Sequence, residues 1–570
     1  MTNHRHQNLA KKHLLIVALL ALLAGGAGLF TMPVLDRDEA RYVQATTQML
    51  ETGDYVQIRF QDQARNKKPV GIYWLQAASV KLFSSVNNRD IWAFRLPSLL
   101  LAVLAALATY LAGIKVVGRQ ASFAGAALFA VSILLGVEAG IAKTDAALVA
   151  TTTLILLSLA RLRRKNDPWM ALLFWAALAA SILIKGPIGP ALVIVSLLSL
   201  WAWERKIAWL RPLMTWWGPM LAALIVLPWL WAVQQATDGA FLREALGGDF
   251  AAKLAGAKES HGAPPGMYLA LLAFTIFPAS FFLLPGAIKT WALRKTSKDG
   301  ADARLLIAWI VPFFLLLELT PTKLVHYPLP LYPALALLCG LGWQYMAEFR
   351  WIRWLSSGLG LLMPVLLIAG VFYLQSVDEP SKWNPSWPVF PVLLFMSASA
   401  IGASVYIFLK RGKPALILAV LAGLSWQFEM RTFIAPSHPL LQTTTKINAK
   451  LIAAGLHPRL SQEASSPVLS VNYREPSLVF ALGTDTVLAS NENALEKTKQ
   501  SKAQTIVYSV LNCQSGVMNR YDELSLSAFV DALQTEQQQC IASEEKPFHA
   551  YNYSKGQCLS VYIFTLRACK

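Results

Sequence analysis

Residues 13–42 read HLLIVALLALLAGGAGLFTMPVLDRDEARY. An apolar run long enough to cross a bilayer passes directly into a block of alternating charge, Asp36-Arg37-Asp38-Glu39-Ala40-Arg41. The run from His13 to Val34 follows Arg5, Lys11 and Lys12 and lacks a small-residue cleavage site. It therefore reads as an uncleaved first transmembrane helix rather than a signal peptide.

Working outward, further apolar runs lie near 93–117, 120–138, 146–160, 168–184, 187–203, 212–234, 266–288, 304–320, 327–346, 354–374, 388–409 and 414–433. Together they predict about thirteen spans. The runs at 120–138 and 146–160 are short or interrupted by polar residues. Of the 570 residues 55% are hydrophobic and 15% charged, with mean hydropathy +0.44. Soluble domains carry about 25% charged residues, which excludes a multidomain water-soluble enzyme.

The net charge of +18 would point to nucleic acid on a soluble chain. Here its location gives another explanation. With the N-terminus inside, the segments on the cytoplasmic side hold 22 basic and 5 acidic residues, while the rest of residues 1–439 holds 17 of each. That is the positive-inside pattern, so no nucleic-acid partner is expected. An odd number of spans puts the C-terminus outside.

The fold expected is a polytopic α-helical membrane domain over 1–434, including a first external loop at 33–84, and a C-terminal α/β domain over 435–570. In the latter, 444–455 reads as a helix, and Pro467–Asn472, Thr505–Val510 and Leu559–Leu566 read as strands. Cys513, Cys540, Cys558 and Cys569 permit one or two disulfides there, with three full pairings, or stay as thiols.

The chemistry is expected in the 33–84 loop. A simple connector needs neither its charge block nor Gly53-Asp54-Tyr55 and Asn66-Lys67-Lys68-Pro69. A helix over Glu39–Leu50 would set Asp38 at its N-terminal end, where the helix dipole favours an ionised carboxylate. Val70–Phe83 suits an interfacial helix. Acidic and basic groups reach the same face in Glu138 to Asp145, at Lys185-Gly186-Pro187 and at Lys323 to Pro328. Such cations suit a lipid phosphate, and ionisable groups at membrane depth are costly unless they serve a partner. Plainer alternatives stand beside these: a solvated, self-paired run at Asp36, Arg37 and Glu39, a turn at Asp54, a Glu138–Lys143 pair, and aromatic-belt positions for Tyr268, Tyr327 and Tyr332. His261 and His326 are weak evidence for a metal.

The motifs Leu35 to Tyr42, Gly53-Asp54-Tyr55, Lys67 to Trp74, Thr144-Asp145, Lys185-Gly186-Pro187, Lys323 to Pro330 and, in the external domain, Tyr473 to Leu478 resemble those of the bacterial lipid A aminoarabinose transferases. These are protein O-mannosyltransferase-like glycosyltransferases of the superclass C (GT-C) fold. The resemblance covers the membrane part and enters the external domain. It implies a multi-pass inner-membrane enzyme, surrounded by membrane lipids, with a periplasmic C-terminal domain. It also implies an undecaprenyl-phosphate-linked sugar as donor and lipid A or another glycolipid as acceptor. It implies catalytic roles for Asp38 and Asp145. Arg41, Lys68 and Tyr327 become donor-phosphate contacts, with Lys185 and Lys323 as further cations. The family's acidic residue before Lys-Pro, linked to a metal, is Lys67 here. No metal ligand and no cofactor are therefore assigned, and a divalent cation stays open. The sugar expected is 4-amino-4-deoxy-L-arabinose.

The rival enzyme is a related transferase acting on another glycolipid, a polysaccharide or a protein. A secondary transporter is the rival from another class, but it would carry its charges near the bilayer midplane on repeated halves. Here they gather at the external surface.

Overall fold

The computed structural model describes residues 2–206, 208–245, 247, 262–296, 300–345, 350–376, 383–461, 466–511 and 520–569. Each of the thirteen apolar runs is helical over most of its length. The first part of the chain forms α1 (Thr2–Gly26), α2 (Asp38–Thr52), α3 (Gly71–Phe83), α4 (Ile91–Val116), α5 (Arg119–Ala130), α6 (Ile133–Ala139), α7 (Asp145–Leu162), α8 (Pro168–Lys185), α9 (Ile188–Glu204) and α10 (Trp217–Ala236). Among the described residues, eight helices are long and apolar enough to cross a membrane, or ten if each of two bent pairs is one span. Ile188–Glu204 and Leu329–Gln344 are shorter apolar helices.

Those bent pairs correct the expectation of plain spans at 120–138 and 266–288. α5 and α6 meet at 55°, and the helices Met267–Thr275 and Ser280–Leu293 meet at 118°. The two breaks lie against each other, because the Ile133 N–H donates to the Phe277 carbonyl at 3.0 Å. Ser132 Oγ donates to the Phe129 carbonyl at 2.8 Å. Each break thus leaves its freed backbone groups paired inside protein, the condition for irregular backbone at membrane depth. Elsewhere the helices approach closely over small residues. A Cβ on Gly125 would stand 2.4 Å from the Ala336 carbonyl oxygen, and one on Gly340 would stand 2.0 Å from that of Ala121.

Between α1 and α4 the chain forms a small layer at one end of the bundle. α2 starts with Asp38 and Glu39 in its first turn and stops at Gly53, whose left-handed φ of 73° lets its N–H return to Met49. The hairpin β1 (Arg59–Phe60) and β2 (Gln63–Ala64) leads into α3. α3 buries Ile72, Tyr73 and Val80 and exposes Trp74, Leu75, Leu82 and Phe83, as an interfacial helix requires. Asp54 Oδ1 accepts from the Val56 and Gln57 N–H groups, the turn role.

The C-terminal domain holds a five-stranded sheet of β3 (Val468–Val471), β4 (Val487–Ala489), β5 (Thr505–Leu511), β6 (Gln539–Asn552) and β7 (Gln557–Ala568), in the order β4-β3-β5-β7-β6. β3 runs parallel to β4 and β5, whereas β7 runs antiparallel to β5 and β6. Alternate residues fill two cores: Leu469, Ile506 and Tyr508 on one face, Val468, Val507 and Val561 on the other. A disulfide joins Cys540 and Cys569. Cys513 lies outside the described residues.

This domain packs on the same end as α2 and α3. Arg89 donates to the carbonyls of Val479 (3.2 Å) and Phe480 (2.8 Å), and Gln44 donates to Thr484 Oγ1 at 2.8 Å. Asp36 accepts from the Ser477 N–H at 3.0 Å, while its own N–H donates to Tyr553 Oη at 2.5 Å. Asp36 is therefore a docking residue and not part of a solvated run. Glu39 is not solvated either. It is 1% exposed and takes both forks of Arg95 at 2.8 Å.

Candidate functional site

Five separate stretches of chain bring charged groups to the end of the bundle that carries the C-terminal domain. Asp145 is the first residue of α7 and Lys185 the last of α8, so each charge sits at the helix end that favours its sign. Their side chains meet, Lys185 Nζ to Asp145 Oδ1, at 2.5 Å. Lys143 Nζ lies 3.0 Å from Glu138 Oε1 and 3.7 Å from Asp145 Oδ2. The expected Glu138–Lys143 pair therefore forms, but as part of a larger group. Glu138, Lys143 and Asp145 are 3%, 8% and 4% exposed.

His326 completes this group. Its Nδ1 is 3.3 Å from Lys143 Nζ, and its Nε2 is 3.7 Å from Asp145 Oδ1. Burial lowers its pKa well below the ordinary value, and Lys143, Lys185 and Lys68 lower it further against the pull of Asp145. Burial also opposes the charge on Lys143, yet the carboxylates of Glu138, Asp145 and Asp38 outweigh it and hold the ammonium's pKa above its ordinary value.

Tyr327 sits beside this group, with Lys185 Nζ 5.5 Å from its ring centre and the His326 ring edge-on at 5.2 Å. Lys67, Lys68, Lys185 and Tyr327 all line one cavity of about 410 Å³. Apart from Thr320 the rest of its wall is apolar, including Leu148, Ile188, Trp229, Leu230, Phe241 and Phe313. An elongated hydrocarbon with an anionic head matches that lining: tail along the apolar wall, head among the lysines.

Asp38 lies exposed at the start of α2, its carboxylate within electrostatic reach of Lys143, Tyr42, Tyr73 and Arg65. Arg65 stacks over Tyr42, 5.2 Å from the ring centre, and donates from Nε to Tyr73 Oη at 3.3 Å. Arg41 is half-buried one turn along α2. Lys323 is not part of the cavity lining, and its ammonium donates at 2.5 Å to the carbonyl of Thr320, which is. Among the described residues no group of three His, Cys, Asp or Glu side chains gathers as a metal site. His261 lies outside the described residues.

Sequence reasoning passed over Arg65, the apolar cavity wall and Arg95. A basic residue inside the apolar run 93–117 was the available signal for Arg95, because an arginine at that depth needs a partner. For the cavity wall there was no signal, since apolar residues facing a void and facing lipid read alike.

The family described as dolichyl-phosphate-mannose-protein mannosyltransferase matches residues 67–231. The chain is 26% identical over 486 residues, 78% of this chain and 83% of the relative, to the undecaprenyl phosphate-alpha-4-amino-4-deoxy-L-arabinose arabinosyl transferase of Pectobacterium carotovorum subsp. carotovorum. To the enzyme of that name from Pseudomonas aeruginosa it is 29% identical over 410 residues, covering 70% of this chain and 68% of the relative. Among solved structures, ArnT from Cupriavidus metallidurans bound to undecaprenyl phosphate superposes with a TM-score of 0.68 at 17% identity, covering 96% of this chain and 97% of that one. The archaeal oligosaccharyltransferase AglB from Archaeoglobus fulgidus gives 0.50 at 13% identity, covering 88% and 69%. The chain is a multi-pass membrane glycosyltransferase of the GT-C fold, similar over most of its length to the aminoarabinose transferases.

Proposed function

We propose that the protein moves 4-amino-4-deoxy-L-arabinose from undecaprenyl phosphate to lipid A at the periplasmic face of the inner membrane, with its N-terminus in the cytoplasm. The observation that carries this reading is the 410 Å³ apolar cavity with Lys67, Lys68, Lys185 and Tyr327 together in its lining. A polyprenyl chain fits its wall, and a phosphate fits its cationic part. The relatives' names supply the sugar, and their substrates suit a site at the bilayer surface.

The reaction is an inverting displacement. The acceptor oxygen forms a bond to the anomeric carbon as the bond from that carbon to the phosphate oxygen breaks, and polyprenyl phosphate leaves with the electron pair. Lys68 and Lys185, with Arg41, stabilise the charge that grows on the leaving phosphate, and they do so already in place. Lys185 is held for this by Asp145. Asp38, exposed beside the Lys143 group, removes the proton of a hydroxyl acceptor. If the acceptor is an ionised lipid A phosphate, Asp38 orients it and stabilises positive charge on the sugar ring. A second reading is a different donor sugar or glycolipid acceptor, because the position that the resemblance makes acidic is Lys67 here.

The test is transfer by the purified protein in nanodiscs, using undecaprenyl-phosphate-linked aminoarabinose and lipid A, read by mass spectrometry. Product heavier than lipid A by one pentosamine is the expected result. Asp38→Asn should lower turnover with the fold intact. A folded Asp38→Asn protein with full activity overturns its role, and donor consumed only with another glycolipid replaces the acceptor.

A further inference from the structure

The end of the bundle opposite the Asp38 site carries a second, separate polar pocket of about 570 Å³. It lies where α7 ends, where α9 ends and where the helix Gly300–Leu319 begins. Arg163, just past α7, is 7% exposed at its side chain and donates from Nη2 to Glu204 at 2.8 and 3.1 Å and to the Ala301 carbonyl at 3.1 Å. Arg304 reaches the same carboxylate from Nε at 2.8 Å. Arg164 pairs with Asp302 and donates to the Lys115 carbonyl at 2.9 Å. With Lys206 the pocket wall carries four cations against the two carboxylates Glu204 and Asp302.

Among the described residues, two buried donors on this wall have no acceptor: Arg163 Nη1 and the indole N–H of Trp209. Their side chains stack, the guanidinium carbon 4.8 Å from the Trp209 ring centre, so the two orphans lie on neighbouring groups. A buried donor without a partner is costly, and a stacked arginine is a preferred partner for phosphate. An excess of cations with two unmet N–H groups specifies an anion with several acceptor oxygens. The surroundings say where that anion comes from. Trp201, Trp203 and Trp216, in the same stretch of chain, are 45%, 42% and 76% exposed, as tryptophans are at headgroup level.

We propose that this pocket binds the phosphate of an anionic membrane lipid from the leaflet opposite the catalytic end. The headgroup phosphate accepts from Arg163 Nη1 and Trp209 after a small turn of the arginine fork, Lys206 and Arg164 face its remaining charge, and its acyl chains lie along the exposed tryptophans. The bound lipid ties together α7, α9 and the helix Gly300–Leu319, so it stabilises the membrane domain without entering the reaction.

The full-length protein in nanodiscs of phosphatidylcholine, with and without phosphatidylglycerol, tests this by thermal unfolding and by native mass spectrometry of retained lipid. Phosphatidylglycerol should raise Tm and be retained, and inorganic phosphate added to phosphatidylcholine nanodiscs should do neither. The double variant Arg164→Gln with Lys206→Gln leaves the Arg163–Glu204–Arg304 group in place, and it should retain the lipid about fivefold less for each cation removed. Trp209→Phe, which deletes one orphan donor and keeps the ring, should weaken retention further without lowering Tm in phosphatidylcholine. Equal retention by wild type and both variants overturns the proposal, and an equal Tm rise with inorganic phosphate overturns the lipid as its source.

Discussion

Two buried ionic groups lie near the start of α2, and they differ in how completely they are satisfied. Glu39 accepts from Arg95 twice, from the Leu35 N–H and from the Ala142 N–H, all at 2.8–2.9 Å. Arg95 also donates to the carbonyls of Met32 and Pro33 at 2.8 Å. This node is closed: both side chains are fully buried, and it ties the segment after α1 to α2, α4 and the loop before α7. The group around Asp145 joins four charged side chains, Glu138, Lys143, Asp145 and Lys185, and is open. Among the described residues Glu138 Oε2 has no partner, and Lys185 faces a cavity that two further lysines also line. A saturated ion pair holds a fold together, whereas one with unmet charge beside a cavity has capacity left for a substrate.

Variants at the two groups should separate these roles. Arg95→Ala leaves the Glu39 carboxylate buried without its counter-ion and should cost about 3–5 kcal/mol of stability. It is expected to abolish accumulation of folded protein, read by size-exclusion chromatography in detergent. If Arg95→Ala folds with normal Tm, the closed node is not structural. Asp145→Asn should instead fold and lose about 10²–10³-fold in turnover, because Lys185 loses the partner that aims it. A lost fold with retained specific activity would reverse the comparison. Lys68→Ala should be milder, about 10–100-fold, as expected for one charge-assisted contact. Its effect should appear as weaker binding of undecaprenyl phosphate with unchanged Tm.

The closed node also marks where sequence reading stopped. Helices were readable because twenty-odd apolar residues in a row admit few other structures, and Asp38 at a helix start followed from the charge block itself. The bends at Val131–Ser132 and near Pro278 were not readable, because hydropathy counts apolar residues whether the helix runs straight or turns. Asp145 and Lys185 were legible as charges on one face and His326 only as weak evidence for a metal, and their mutual contacts depend on how α7 and α8 pack. Asp36 was the furthest out of reach. Its partners Ser477 and Tyr553 lie more than 400 residues away, and nothing near Asp36 in the chain announces them.

Asp36 gives the smallest and most specific effect. Burial raises its carboxyl from 3.8 to about 6, with Glu475 pushing the same way and the hydrogen bonds from Ser477 and Tyr473 pulling against them. The folded state thus holds the proton more tightly than the unfolded chain. Stability conferred at this position is fully present below about pH 4 and is lost as pH rises through about 6, with about 1.4 kcal/mol for each tenfold difference in proton affinity between the two states. Asp36→Asn keeps an oxygen for the Ser477 N–H and removes the charge. It should raise Tm by a few degrees at pH 7.5, and the gap from wild type should close on acidification towards pH 4.5. Equal Tm differences across that range would mean that Asp36 docks the C-terminal domain by shape alone. A gap that closes would make it, like Glu39, a carboxylate held for structure, and would leave Asp38 as the member of the acidic run free for chemistry.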